Sequence, residues 1–313
     1  MAHEFESGFL VKEAAWHSLG TVIKEAPTVE DGIRLAGLDW RVRMENLFLG
    51  DGRITTQRAV VRETDNSILG YSGPNWTPLQ NTDAFSFFDD YLKTGQVELE
   101  TAGSLRKGQR IWVLAKIKDA QAEVVKGDPI QRYFMLSNGH TAGVAVSVGF
   151  TDIRVVCKNT LAIAEQGASS KLLRVRHSKQ VNQNLDDIKG IIDMSTRSFR
   201  ADLEKMEKLL RSDINQDSIK RFVEVIFFDS KKIETKRMEN KLDFTLSKIN
   251  ELIETGLGAD IKGVQGNKYG LYQAATEFMT HYDGNDYEQR LDKLWNGTNK
   301  NRNEKALEYL LAA

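Results

Sequence analysis

The residues of this 313-residue sequence that most clearly indicate chemistry are lysines and arginines. Between residues 154 and 179 they outnumber the single acid, Glu165, six to one, although the whole chain has a formal net charge of -1. Such side chains neutralise phosphates, so a local basic segment on a near-neutral protein indicates a polyanionic partner. The six basic residues are Arg154, Lys158, Lys171, Arg174, Arg176 and Lys179.

A second basic group lies at a predicted hairpin formed by residues 99–105 and 110–117. Its cations are Arg106, Lys107 and Arg110, and Trp112 shares a strand face with Arg110. Proteins bind single-stranded nucleic acid through a basic groove in which bases stack on aromatic rings. We therefore predict that both basic groups line one DNA-binding groove and that Trp112 stacks a base. The alternative is a solvated sheet edge whose charges prevent strand pairing.

Other kinds of site have less support in the sequence. The five histidines stand apart from one another and match no metal-ligand spacing, so we predict neither a metal nor a cofactor. The phosphate-binding pattern GxxxxGK[ST] is absent. Cys157 could act as a nucleophile with His140 as its base, but a lone cysteine in an apolar run is more often a packing residue. We predict a protein without enzymatic activity and keep this pair as a third hypothesis.

The overall composition indicates a globular α+β protein. Hydrophobic residues make up 41% and charged residues 28%, and all four prolines lie at or before Pro129. Since proline interrupts helices, its later absence permits long helices. We predict a strand-rich mixed domain at residues 1–180, built on an antiparallel sheet, and a helical domain at 181–313. The single cysteine and the lack of a membrane-length apolar run lead us to expect a cytoplasmic protein without a membrane partner.

Individual elements follow from residue periodicity. Thr28 is a predicted cap for a helix over 29–36, and apolar spacings of three and four predict helices over 81–92 and 185–210. Alternation and turn residues predict strands at 40–44, 57–63, 67–71, 99–105, 110–117, 131–137, 144–148 and 153–157. Further helices are predicted at 159–165, 219–228, 238–253, 269–281, 287–295 and 304–311.

Six segments, spread over roughly residues 10 to 260, resemble the phage/plasmid-like protein family, a domain of unknown function numbered 932. Two small departures are Trp76 in place of an expected Tyr and Ser178 in place of an expected Thr. The resemblance implies a role in mobile-element biology in a bacterial cytoplasm, and it implies no activity. The segments are AAWHSLG, LGYSGPNWTPLQNTDAFSFFDDYL, ETAGSLRKGQRIWVLAKI, SNGHTAGVAVSV, RVVCKNTLAIA and RVRHS.

The order of elements is also similar, at the level of fold pattern, to the core of Rad52-like single-strand annealing proteins. This likeness implies a homo-oligomeric ring or filament that binds single-stranded DNA during recombination. Fold analogy alone does not establish function. The alternative hypothesis is a protein-interaction or anti-defence protein that binds its partner through the exposed face of the helix over 185–210, without contacting nucleic acid.

Overall fold

The computed structural model describes residues 5–12, 21–154, 173–187, 195–229, 235–284 and 298–312. Its fold is α+β, as predicted, with antiparallel sheets in the N-terminal half and helices in the C-terminal part. The strands in chain order are β1 Phe5–Val11, β2 Thr21–Ile23, β3 Val42–Phe48, β4 Ile54–Arg62, β5 Ile68–Ser72, β6 Val97–Leu105, β7 Arg110–Val125, β8 Asp128–Gly139, β9 Val146–Arg154 and β10 Leu173–Val175.

Helices follow the same chain order and are concentrated after residue 180. Within the described ranges they are α1 Val29–Leu35, α2 Asn81–Ser86, α3 Asp89–Lys93, α4 Val181–Asp186, α5 Ser195–Leu210, α6 Gln216–Phe228, α7 Lys236–Thr255, α8 Lys268–His281 and α9 Thr298–Ala312. None of these helices is both long enough and apolar enough to cross a membrane.

Seven strands form the main sheet, in the order β10-β9-β8-β7-β6-β1-β2. Neighbours pair antiparallel except β1 and β2, which are parallel. A separate sheet has the order β3-β4-β5. Consecutive hairpins from β6 to β9 explain why the central strands lie side by side in chain order.

Local sequence accounts for several element boundaries. The Thr28 side chain accepts a hydrogen bond of 3.1 Å from the Asp31 backbone N–H and so caps α1. Between β4 and β5, Asp65 accepts a bond of 3.0 Å from the Ser67 N–H, and Asn66 has a φ of 58°. Asparagine tolerates this left-handed conformation, which closes the predicted hairpin.

Alternation along β7 divides the interior into two cores. Ile111, Val113 and Ala115 point into a first core with α1–α3 and the three-stranded sheet. Trp112 points to the opposite face, into a second core formed mainly by α6–α9. The main sheet therefore lies between the two cores and contributes side chains to both.

Some predicted elements differ from the structure. The helix predicted over 81–92 is two short helices, α2 and α3, with a break at Phe87 and Phe88. The helix predicted over 185–210 is α4 followed by α5, and residues 188–194 lie outside the described residues. The predicted helices at 159–165 and 287–295 lie outside them too.

The predicted division at residue 180 stays a prediction, but both cores draw on residues from either side of it. Val181, Leu185 and Phe199 join the first core, whereas Leu105 and Trp112 join the second.

Candidate functional site

Predicted DNA-contact residues from both basic groups lie at one end of the main sheet. Val175 of β10 pairs with Val146, the first residue of β9, so the chain leaves β10 near the end of β8 and the start of β7. The β6–β7 turn and the segment 176–180 therefore share this end of the sheet. We call it the cationic end, and its members are Arg106, Lys107, Arg110, Arg174, Arg176 and Lys179.

The β6–β7 turn holds its cations in an unusual backbone conformation. Arg106 and Lys107 have φ values of 51° and 54°, and Gly108 follows with 84°. The Gly108 N–H donates to the Leu105 carbonyl at 3.1 Å, which closes the turn. The Lys107 carbonyl accepts a hydrogen bond of 2.8 Å from Arg62 Nη2, which fixes the backbone of the turn. The Lys107 side chain is exposed.

Exposure separates the cations into two groups. Lys107, Arg174, Arg176 and Lys179 are exposed, and none of them has an ion pair with a carboxylate of the described residues. Arg106 and Arg110 are half-buried and have interactions within the protein. The exposed group is therefore the part of the cationic end that offers charge to a ligand.

Strand register relates the two basic groups to each other. Trp112 pairs with Ser137, Ser137 with Ser147 and Ser147 with Arg174. Directly paired side chains point to the same face, so Arg174 lies on the Trp112 face, three strands away. Strands lie about 4.8 Å apart, which separates their backbones by about 14 Å.

Trp112 does not fit its predicted role. It is only 4% exposed and packs in the second core, against the backbone of Gly103. A base could not stack on this ring without displacing the helices that cover it. Alternation correctly placed Trp112 opposite Ile111, but it did not reveal that both faces of the sheet are covered.

Of the three other predicted contacts, Arg154 is not brought to the cationic end. Arg154 pairs with Ile130 at the far end of β9, seven residues beyond the Ser147 row. At about 3.4 Å per residue, its backbone is about 24 Å from that row. Lys158 and Lys171, like Cys157, lie outside the described residues.

Beneath the cationic end, three polar side chains hold residues 77–81, which lead into α2 and include its first residue. His177 Nδ1 bonds the Thr77 carbonyl at 3.0 Å, and Asn138 Nδ2 donates to the Leu79 carbonyl at 3.1 Å. The third contact joins His140 Nε2 to Asn81 Oδ1 at 2.9 Å. The ends of β8 and β10 are thus linked to each other, because both contact residues 77–81.

The surrounding hydrogen bonds determine which nitrogen of His140 carries the proton. Asn81 Nδ2 donates to the carbonyls of Leu38 and Trp40, which orients the amide so that its oxygen faces His140. His140 Nε2 must therefore donate. Burial lowers the pKa of His140 to about 3, with smaller contributions from His177 and Arg62. Its imidazole is consequently neutral at pH 7 and its Nδ1 is unprotonated.

His177 is held in a similar way, but its donating and unprotonated ring nitrogens are exchanged relative to those of His140. Its Nδ1 faces a carbonyl oxygen and must donate, and burial lowers the pKa of His177 despite the opposing effect of that hydrogen bond. The Trp76 ring stacks on the imidazole at a centroid distance of 4.6 Å, and the Trp40 ring lies 5.2 Å from His140. Two neutral, aromatic-lined imidazoles thus lie below the exposed cations.

Sequence reasoning missed this pair of histidines as a site. Positions 140 and 177 are far apart in the chain, and His140 was considered only as a base for Cys157. A usable signal was that Asn81, Asn138, His140 and His177 all fall in segments that resemble one family. Polar residues that recur in separate matching segments are candidates for contact in the fold.

Comparison with known proteins identifies a family. A family model described as "Domain of unknown function (DUF932)" matches residues 68–307. The match includes β5–β10 and α2–α8, and with them the cationic end and both buried histidines. No curated protein and no solved structure matches the chain.

Proposed function

The chain belongs to the DUF932 family, whose description names no activity, and from the geometry of its exposed cations we propose that it binds nucleic acid. Its likeness in element order to Rad52-like annealing proteins favours single-stranded DNA as the ligand. The observation that supports this is the set of exposed cations at one end of the main sheet, free of ion pairs with the described carboxylates. Each phosphate contact by such a cation releases counterions.

The proposed binding surface is smaller than the groove expected from the sequence. It consists of the Arg174–Lys179 segment and the β6–β7 turn, with Lys107 as the exposed cation of the turn. It includes no aromatic ring from Trp112. Binding by phosphate contacts alone predicts little preference between base sequences.

A cellular role follows as a further part of the proposal. We propose that the protein serves the DNA metabolism of a phage or other mobile element in the bacterial cytoplasm, as a homo-oligomeric annealing factor similar to Rad52. The support is the resemblance of six segments to the phage/plasmid-like family and the order of elements that the sequence predicts.

The test is a double substitution, Arg174→Ala with Arg176→Ala, in a gel-shift or fluorescence-anisotropy assay with a labelled single-stranded oligonucleotide. We expect binding to weaken roughly tenfold at about 0.15 M salt, and the slope of log affinity against log salt to fall by about 1.4, or 0.7 per lost contact. Lys220→Ala with Arg221→Ala is the matched control, because it removes two exposed cations from α6 without touching the cationic end.

The outcomes separate the hypotheses. A loss of affinity in the first variant with little change in the control supports the proposal. Equal losses of affinity in the two variants would indicate that the oligonucleotide is attracted nonspecifically to the whole protein surface. No binding by the wild-type chain would overturn the proposal and favour the interaction hypothesis.

A further inference from the structure

Three buried polar atoms below the cationic end have no hydrogen-bond partner. They are His140 Nδ1, His177 Nε2 and Asn138 Oδ1. His140 and Asn138 are fully buried, and His177 is 8% exposed. Buried polar atoms are nearly always satisfied, so three orphaned atoms in neighbouring residues indicate that a ligand, ion or water belongs among them.

The three atoms share one chemical character. Because His140 Nε2 and His177 Nδ1 both donate, the other ring nitrogen of each neutral imidazole has a lone pair and no proton. Asn138 Nδ2 donates to the Leu79 carbonyl, which leaves the amide oxygen as the orphan. All three atoms are acceptors, and their complement is a cation or a hydrogen-bond donor.

Strand register places the two imidazoles on the same face. Ser137 pairs with Ser147, and Val175 pairs with Val146, so Asn138 and Val175 lie in one row across β9. His140 and His177 each follow that row by two residues. Both lie just beyond the ends of β8 and β10, whose paired backbones are about 10 Å from each other across β9.

A backbone separation of about 10 Å leaves room for one ion between the two imidazole rings, since zinc binds imidazole nitrogen at about 2.0–2.1 Å. The arrangement of each ring is typical of metal-ligating histidines, which donate their second N–H to an oxygen that fixes the tautomer.

We propose that His140 Nδ1 and His177 Nε2 bind one divalent transition-metal ion of the zinc type, with Asn138 Oδ1 as a further oxygen ligand. Imidazole suits zinc, copper, iron and nickel. Within the described ranges no group of three His, Cys, Asp or Glu could hold a metal, so the proposed protein ligands are the two imidazoles and the amide oxygen alone. The nearby positive charge of Arg62 is offset by Glu6 at 2.7 Å and Asp65 at 3.4 Å.

The experiment uses the full chain without an affinity tag, stripped of metal by a chelator and titrated with Zn²⁺ by calorimetry. We expect one ion per chain and at least tenfold weaker binding in His177→Gln, which removes one imidazole and keeps a polar side chain. His281→Gln is the matched control. This half-buried histidine ends α8, far along the chain from the site, and its removal should leave the affinity unchanged.

A second measurement on the wild-type chain avoids dependence on a variant that folds poorly. With Cu²⁺ in place of Zn²⁺, pulsed electron paramagnetic resonance should show two imidazole nitrogens coupled to the metal. The proposal is overturned if the chain binds no stoichiometric ion, if the spectrum shows fewer than two imidazoles, or if a folded His177→Gln binds Zn²⁺ like the wild type. Each of those results would assign the orphaned atoms to a hydrogen-bond donor other than a metal, such as buried water.

Discussion

At the residue scale, Gly70 lets two parts of the molecule meet. A Cβ atom at this position in β5 would overlap Thr141 Oγ1 and lie 2.9 Å from Thr141 Cα. The Ala142 N–H donates to the Tyr71 carbonyl at 3.0 Å, so β5 supports the loop that follows His140. The absent side chain therefore determines how closely the small sheet approaches the site.

We expect Gly70→Ala to lower the free energy of unfolding by about 1–3 kcal/mol, because the added methyl group overpacks this contact. Urea denaturation followed by circular dichroism measures the change. Gly50→Ala is the control, since a Cβ there has no atom within 4 Å. Equal effects of the two substitutions would show that β5 and the Thr141 loop are not in close contact.

The contribution of individual residues to the site was only partly predictable. Alternation around Val175 correctly indicated that Arg174 and Arg176 are exposed. The pairing of His140 with Asn81 was not predictable, because it joins residues 59 positions apart whose proximity depends on tertiary packing. Burial of Trp112 was missed for the same reason: periodicity assigns a face but not what covers it.

At the element scale, a buried ion pair joins the sheet to α5. Arg132 of β8 is 1% exposed and donates to Asp202 Oδ2 at 2.6 Å, and Lys205 reaches the other carboxylate oxygen at 2.9 Å. The Arg132 guanidinium also lies over the rings of Phe150 and Phe199. Removing the carboxylate would therefore take a charged partner away from a buried guanidinium.

We expect Asp202→Asn to reduce the free energy of unfolding by about 3 kcal/mol, since breaking a buried ion pair is strongly destabilising. Glu207→Gln breaks an exposed pair with Arg211 on the same helix and should change stability by less than about 0.5 kcal/mol. Guanidinium denaturation of both variants measures the difference. If the two losses are alike, the Arg132–Asp202 contact does not hold α5 to the sheet.

Elements that depend on residues close in sequence were predicted well, whereas the order of the strands in the sheet was not predicted. The Thr28 cap, the β4–β5 hairpin and the β6–β7 hairpin depend on residues close in sequence. The place of β1 beside β6 depends on pairing between residues about 95 positions apart, such as Phe9 and Ala102. No local pattern indicates such a partner.

At the scale of the whole molecule, neighbouring residues of one strand serve different cores. Ile111 packs in the first core and Trp112 in the second. Loss of either core would expose one face of the same sheet. The two halves of the chain should therefore lose their structure together.

Differential scanning calorimetry tests this coupling. We expect a single heat-absorption peak whose calorimetric enthalpy equals its van't Hoff enthalpy, as for a cooperative transition. Near-ultraviolet circular dichroism should give the same midpoint. Two resolved peaks would instead support separate domains that divide near residue 180.

The β6–β7 turn also bears on how the chain would respond to selection. Asparagine and glycine occupy left-handed turn positions with less strain than Arg106 and Lys107 do. A laboratory evolution scheme that rewarded heat tolerance alone would consequently tend to replace both cations here. Variants recovered in that way would be thermally stable but would have a lower affinity for any polyanion. Thermal stability and polyanion binding therefore need to be selected together.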